Sequence, residues 1–316
     1  MSVLWKYNWE STKQHFLSWW KHEGMVLELF GDHTKRTVPH ADVPPLEIPT
    51  STDEKWVNAK YRAMNARHYL AYLDFPVDNL PLAKTSIGPG SLALYLGSEP
   101  SFSEETVWFN PCISDIAANH SFEFDPNARW FRIQESIIRE IVSVSDGNYF
   151  TGCPDLIENI DILASLRDTQ VLLMDMIENP EWVEQSVLKI NQAYFDAYDR
   201  IHSLIQLSDG SSIFCHFNIW GPGKTIKTQC DASAMFSPEM YSRFVLPALI
   251  EQCEWADNTL YHLDGPNAVP HLDILLSINA LDAIQWVPGA GNPDAGDPIY
   301  YPMYKKNNRS RKVASD

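Results

Sequence analysis

Residues 259–287 read TLYHLDGPNAVPHLDILLSINALDAIQWV, and this stretch decides the fold class. Thr259–Leu263 is a short apolar, β-rich run that stops at Asp264–Gly265–Pro266, a turn signal. A helical pattern follows from about Ala268 to Ser277, and a second apolar run covers Leu281–Val287. Strand, helix and strand in succession imply a right-handed crossover between parallel strands.

The same alternation extends towards the N-terminus. Between Asn179 and Leu207, the residues Val183, Val187, Ile190, Tyr194, Ala197, Ile201 and Leu204 recur at steps of three and four. They form one apolar stripe on a helix, with Asn179 as N-cap and Pro180 as its first residue. Ser237–Pro238–Glu239 repeats that start signal for a helix carrying Tyr241, Phe244, Val245 and Ile250, kinked at Pro247. Leu82–Ile87 and Ser212–Ile219 read as strands. Residues 1–80 form an N-terminal extension. It holds a Trp-rich stretch from Trp5 to Trp20, a short apolar run Met25–Phe30 read as a strand, and a Pro-rich connector. A helix capped at Ser51–Thr52–Asp53 then runs to about Leu73. An α/β barrel and an open doubly wound sheet both satisfy the alternation.

Composition narrows the function classes. The 316 residues include 24 Lys or Arg and 41 Asp or Glu, a formal charge of −17. A field this negative repels phosphate backbones, which argues against nucleic acid as a partner. No apolar run reaches transmembrane length and no export signal opens the chain, so a cytoplasmic protein without a membrane partner is expected. The five cysteines are odd in number, widely spaced and without a C-x-x-C pair, which fits free thiols. Gly221–Pro222–Gly223–Lys224–Thr225 ends like a phosphate-binding loop, but Asn218 stands where the motif needs its first glycine.

The candidate chemistry lies at a predicted strand end. His262 and Asp264 are two apart in the strand and therefore share a face, where they can act as metal ligands or as a proton-transfer pair. An Asp capping the turn and a His satisfied by backbone is the bland alternative. Asp231, in Gln229–Cys230–Asp231 ahead of the Ser237 helix, reads either as a carboxylate on a loop over the pocket mouth or as a surface turn residue. Lys84 interrupts an otherwise apolar strand, which marks either an edge or a substrate contact.

Several ordered pieces then carry a family resemblance. They are Leu163–Ala164–Ser165–Leu166–Arg167, Leu172–Leu173–Met174–Asp175, Asp231 with Ser237–Pro238–Glu239–Met240–Tyr241 and Phe244–Val245–Leu246–Pro247, Tyr261–His262–Leu263–Asp264–Gly265, and Leu281–Asp282–Ala283–Ile284–Gln285–Trp286. Across about residues 150–304 the chain resembles the uroporphyrinogen decarboxylase superfamily, which includes zinc-dependent, corrinoid-linked methyltransferases. The resemblance implies a (β/α)8 TIM barrel over residues 81–304, often a homodimer. It also implies a small-molecule substrate, zinc on His262 and Asp264, and a corrinoid carried by a partner protein. On the matching segments, Asp231, His262 and Asp264 take the catalytic positions, and Tyr261, Gln285 and Trp286 join Lys84 as substrate contacts. Asp264 stands where the methyltransferases have a cysteine, and no cysteine follows Cys253. The decarboxylases' arginine-rich N-terminal segment corresponds here to Trp19–Trp20–Lys21–His22–Glu23–Gly24. Methyl transfer is the leading expectation, with decarboxylation and a non-catalytic binding subunit as alternatives. Residues 305–316 hold five basic side chains against one acid and no apolar run. They read as a disordered basic tail, with the barrel's last β/α unit missing.

Overall fold

The computed structural model describes residues 5–46, 48–118, 120–309 and 313–315. The clearest sequence signal gives the longest helix, Pro180–Ile205, which starts on its proline and buries Val183, Val187, Ile190, Tyr194, Ala197 and Ile201. Ser237 caps the next helix by accepting the Met240 N–H. The break that follows falls at Val245, and a new helix Leu246–Trp255 carries Pro247 in its first turn, where a missing N–H costs nothing. Pro270 has a related effect: Pro266–His271 is a 3₁₀ turn, and only Leu272–Ser277 is α-helical.

Ten strands are described: β1 Leu82–Ala83, β2 Glu99–Phe102, β3 Val107–Asn110, β4 Phe150–Thr151, β5 Ser212–Phe214, β6 Ile219–Gly221, β7 Thr225–Gln229, β8 Asn258–Asp264, β9 Ala283–Val287 and β10 Val313–Ser315. β1 and β4 pair in parallel. A parallel bridge between Cys153 and Phe214 links the end of β4 to β5. The Ser212 hydroxyl then joins β5 to the start of β7, donating to the Gly223 carbonyl at 2.7 Å and accepting the Thr225 N–H at 3.2 Å. β7, β8, β9 and β10 form one parallel sheet. β2–β3 and β5–β6 are antiparallel hairpins. The fold is mixed α/β.

A closed (β/α)8 barrel is not confirmed, and two other expectations need correction. Among the described residues no strand pairing joins β10 to β1, so the closed (β/α)8 barrel is not formed by these hydrogen bonds. Residues 305–316 are not a disordered tail through their described part. The helix Tyr301–Arg309 leads into β10, which pairs in parallel with β9 from Val313 opposite Ala283. The last unit therefore supplies at least its strand. Backbone pairing on the open edge of β9 requires no apolar run, which is why composition missed it. Met25–Phe30 is not a strand either. The Asp78 and Asn79 side chains accept the Leu27 and Leu29 N–H groups at 3.0 and 2.8 Å, in place of a sheet neighbour.

Alternation sorts the parallel strands into an inner and an outer face. Leu82, Phe150 and Ile213 point inwards and meet Trp220 together with Trp9 and Phe16 of the N-terminal helix Trp9–Trp20. That helix plugs the floor of the inner face. The outer residues join the main apolar core beneath the helices. Trp220 is 2% exposed, packs edge-on against Trp9, and donates its indole N–H to Ser211 at 3.0 Å. Trp220→Ala should cost about 3–5 kcal/mol in urea unfolding, the usual loss for a buried large aromatic. Trp108, 68% exposed, should tolerate alanine within about 0.5 kcal/mol.

Candidate active site

The inner face rises in rungs set by strand register. Lys227, Leu260 and Ala283 form one rung, and Gln229, His262 and Gln285 form the next. Asp264 stands one step above, at the C-terminal end of β8. Beside it, β7 gives way at Cys230 to the 3₁₀ turn Asp231–Met235. Asp231, His262 and Asp264 thereby come together, each offering one ligand atom within 4.8 Å of the others. Strand ends of this kind are where open and closed parallel α/β folds place their ligands.

Two glutamines hold this group. The Gln285 amide oxygen accepts a hydrogen bond from His262 Nδ1, while its NH₂ donates to the Trp286 carbonyl at 3.2 Å. This assigns the proton to Nδ1 and leaves the Nε2 lone pair free. Burial holds His262 below the usual imidazole range, with the Gln285 hydrogen bond opposing it, so the ring is neutral at pH 7. The Gln229 amide donates to an Asp231 carboxylate oxygen at 2.9 Å. Among the described residues no hydrogen bond or ion pair reaches the Asp264 carboxylate.

Below and behind lies an acidic segment that sequence reading passed over. Asp155, Glu158 and Asp161 follow β4 and converge on the end of β7. Asp155 and Lys227 form an ion pair at 2.8 Å with both side chains almost fully buried. Lys227 also donates to the Gln229 amide oxygen. Glu158 accepts the Gln229 N–H at 2.6 Å, and burial pushes it well above the usual carboxylate range. Asp161 accepts the N–H groups of Asp231 and Ala232 at 2.7 and 2.9 Å, and burial raises it as well. Asp231 keeps solvent access at the mouth but is crowded enough to lose hydration. That loss, followed by the charge on Asp161, pushes it up to about 7. Ile157 adopts φ 54° between Asp155 and Glu158. A left-handed β-branched residue costs about 1–3 kcal/mol, and such strain clusters at functional sites. The available sequence signals were the D-x-x-E-x-x-D spacing and a lone lysine inside β7.

The other expected contacts divide by strand parity. Gln285 faces inwards with His262. Tyr261 and Trp286 face outwards: Tyr261 accepts the Tyr241 hydroxyl at 2.9 Å, and Trp286 lies 5.4 Å from the Tyr300 ring. Both pack under the helices, on the face opposite His262 and Gln285. Lys84, just beyond β1, borders two cavities. One of about 470 Å³ also touches Asp155 and His216. The other, of about 760 Å³, runs past Phe217 to Gln285. Asp231, Gln229 and Asp161 border a third, of about 610 Å³.

No protein-family model matches the chain, and no curated protein matches it. Among solved structures, a methyltransferase from Methanosarcina mazei is similar, with a TM-score of 0.60 at 13% identity. The likeness covers 96% of this chain and 91% of that one. At this identity the likeness concerns the fold alone. Among the described residues no helix is long and apolar enough to cross a membrane.

Glu28, on the wall of the 760 Å³ cavity, provides a pH test. Burial pushes it from 4.5 up to about 7, against a hydrogen bond from Asn218. Between those values the folded protein keeps a proton that the unfolded chain releases, so stability falls as pH rises through the window. Glu28→Gln should flatten this part of the Tm–pH profile between the ordinary and raised values. A mutant profile parallel to the wild type's would remove Glu28 as the cause.

Proposed function

We propose that the protein is a methyl-transferring enzyme in which Asp231, His262 and Asp264 hold a divalent metal ion, zinc being the best match. In this reading the parallel strands from β1 to β10 are the wall of a TIM-type barrel, and a corrinoid protein donates or receives the methyl group. The observation that carries the reading is the convergence of one imidazole and two carboxylates at the strand ends. The likeness in fold to a methyltransferase supports it.

The donor set fits the ion. One nitrogen and two oxygens, with room for a further ligand, is an accepted zinc environment. Histidine ligands commonly donate their second ring N–H to a fixed oxygen, and His262 does so to Gln285. Charge points the same way. Asp155 is balanced by Lys227, Glu158 is held by the Gln229 N–H, and Asp161 is held by two backbone N–H groups. Asp231 and Asp264 remain without a cation. A proton-transfer pair is less well supported, because His262 Nδ1 bonds Gln285 and no hydrogen bond joins the ring to Asp264.

When bound, the metal would supply Lewis acidity that favours the deprotonated form of a methyl acceptor at neutral pH. The protein's own residues do the positioning. Gln285 sets the tautomer and plane of His262, and Gln229 orients Asp231. The Phe217 ring, 5.1 Å from the His262 ring, excludes water from one side of the imidazole.

Metal analysis of purified protein tests the reading. Wild type should hold about one equivalent of zinc, and His262→Ala and Asp264→Asn should lose it. Gln285→Leu keeps every ligand but should weaken affinity by about 10–100-fold, the usual effect of removing an orienting partner. Equal and negligible metal in wild type and His262→Ala would sink the metal centre.

A further inference from the structure

The cavity bordered by Lys84 has a character that the metal centre does not explain. In a chain of net charge −17, it gathers Lys55, Arg62 and Lys84 in its lining. Lys55 is committed to Glu104 at 3.1 Å. The other two are not. Arg62 is locked by backbone alone: Nη1 donates to the Trp56 carbonyl at 3.0 Å, and Nη2 to the Ser86 and Lys84 carbonyls at 3.0 and 3.4 Å. Among the described residues neither Arg62 nor Lys84 has a carboxylate within ion-pair distance. Asp155, in the same lining, has its charge taken by Lys227. The rim carries one further acid, Glu105.

We propose that this cavity binds a small organic carboxylate with a flat apolar body, its charge received by Lys84 and Arg62. A buried guanidinium and an exposed ammonium beside it, neither with an internal counter-ion, are a standing site for an anion. A guanidinium already fixed by three carbonyls loses little entropy on binding, and its Nε–H and second Nη1–H remain to donate to an anion's oxygen. The flat wall comes from Trp56 and Tyr61. The Trp56 indole N–H is used by the Ser103 carbonyl at 2.8 Å, so the ring is fixed in place. A volume of about 470 Å³ falls in the range of small-molecule sites. Lys84 and His216 also border the larger cavity that reaches Gln285, the residue holding His262. A ligand anchored here therefore extends towards the metal centre. Its use as the substrate's handle rests on the proposed function, but its existence does not.

Isothermal titration with benzoate, its neutral isostere benzamide and inorganic phosphate tests the site. Benzoate should bind wild type measurably, and benzamide and phosphate more weakly by about tenfold or more, as loss of a charge-assisted contact or of the aromatic body requires. Lys84→Met, which removes an exposed ammonium with no structural partner, should weaken benzoate about tenfold. Glu105→Gln should strengthen it, a gain that a merely structural disturbance would not produce. Binding should persist in His262→Ala, which separates this site from the metal centre. No benzoate heat at about 20 mM, a weakness beyond any working affinity, would overturn the proposal. So would equal binding of benzamide or phosphate, or an unchanged affinity in Lys84→Met.

Discussion

A single buried ammonium governs this end of the molecule. Lys227 projects from β7 among five carboxylates: Asp155, Glu158, Asp161, Asp231 and Asp264. A buried ion pair is tolerated only when each partner is well bonded, and removing one partner leaves a costly bare charge. Lys227 meets the condition through Asp155 and Gln229. Because one cation cannot balance five acids, the rest of the site follows from how the others are neutralised. Glu158 takes the Gln229 N–H and is raised by burial, Asp161 takes two backbone N–H groups, and Asp231 and Asp264 are left facing the opening.

The strands make this arrangement rigid. Gln229, His262 and Gln285 sit on one rung because β7, β8 and β9 are paired residue by residue, and a one-residue slip would turn all three outwards. Beneath them Trp9, Phe16 and Trp220 close the floor with apolar surface. The N-terminal helix also reaches the site's surroundings, because its Phe16 and Trp19 line the cavity that runs to Gln285. At the mouth, the order comes from short turns instead. The left-handed Ile157 lets Asp155 and Glu158 both reach β7 from one loop, at a cost in local strain.

Two kinds of recognition then lie along one interior. The donors at the β7 and β8 ends have negative charge without a cation, and Arg62 with Lys84 has positive charge without an anion. A small bifunctional molecule, acidic at one end and metal-seeking at the other, would satisfy both.

Much of this was legible in the chain by itself. The 259–287 pattern fixed parallel strands with helical crossovers, and a period of two put His262 and Asp264 on one face. The same parity placed Gln285 inwards and, followed strictly, would have turned Tyr261 and Trp286 outwards from the start. The Ser237 helix starts on a side-chain cap and the Pro180 helix on a proline in its first turn, both local features and therefore readable locally. What only the tertiary structure decided depends on contacts between distant segments. Asp155 meets Lys227 across 72 positions of sequence, Arg62 meets the carbonyl of Ser86, and β10 pairs with β9 through backbone alone. No local pattern records such meetings, because the free energy that selects them comes from burying charges together and from closing open strand edges. Neither exists until the chain has folded.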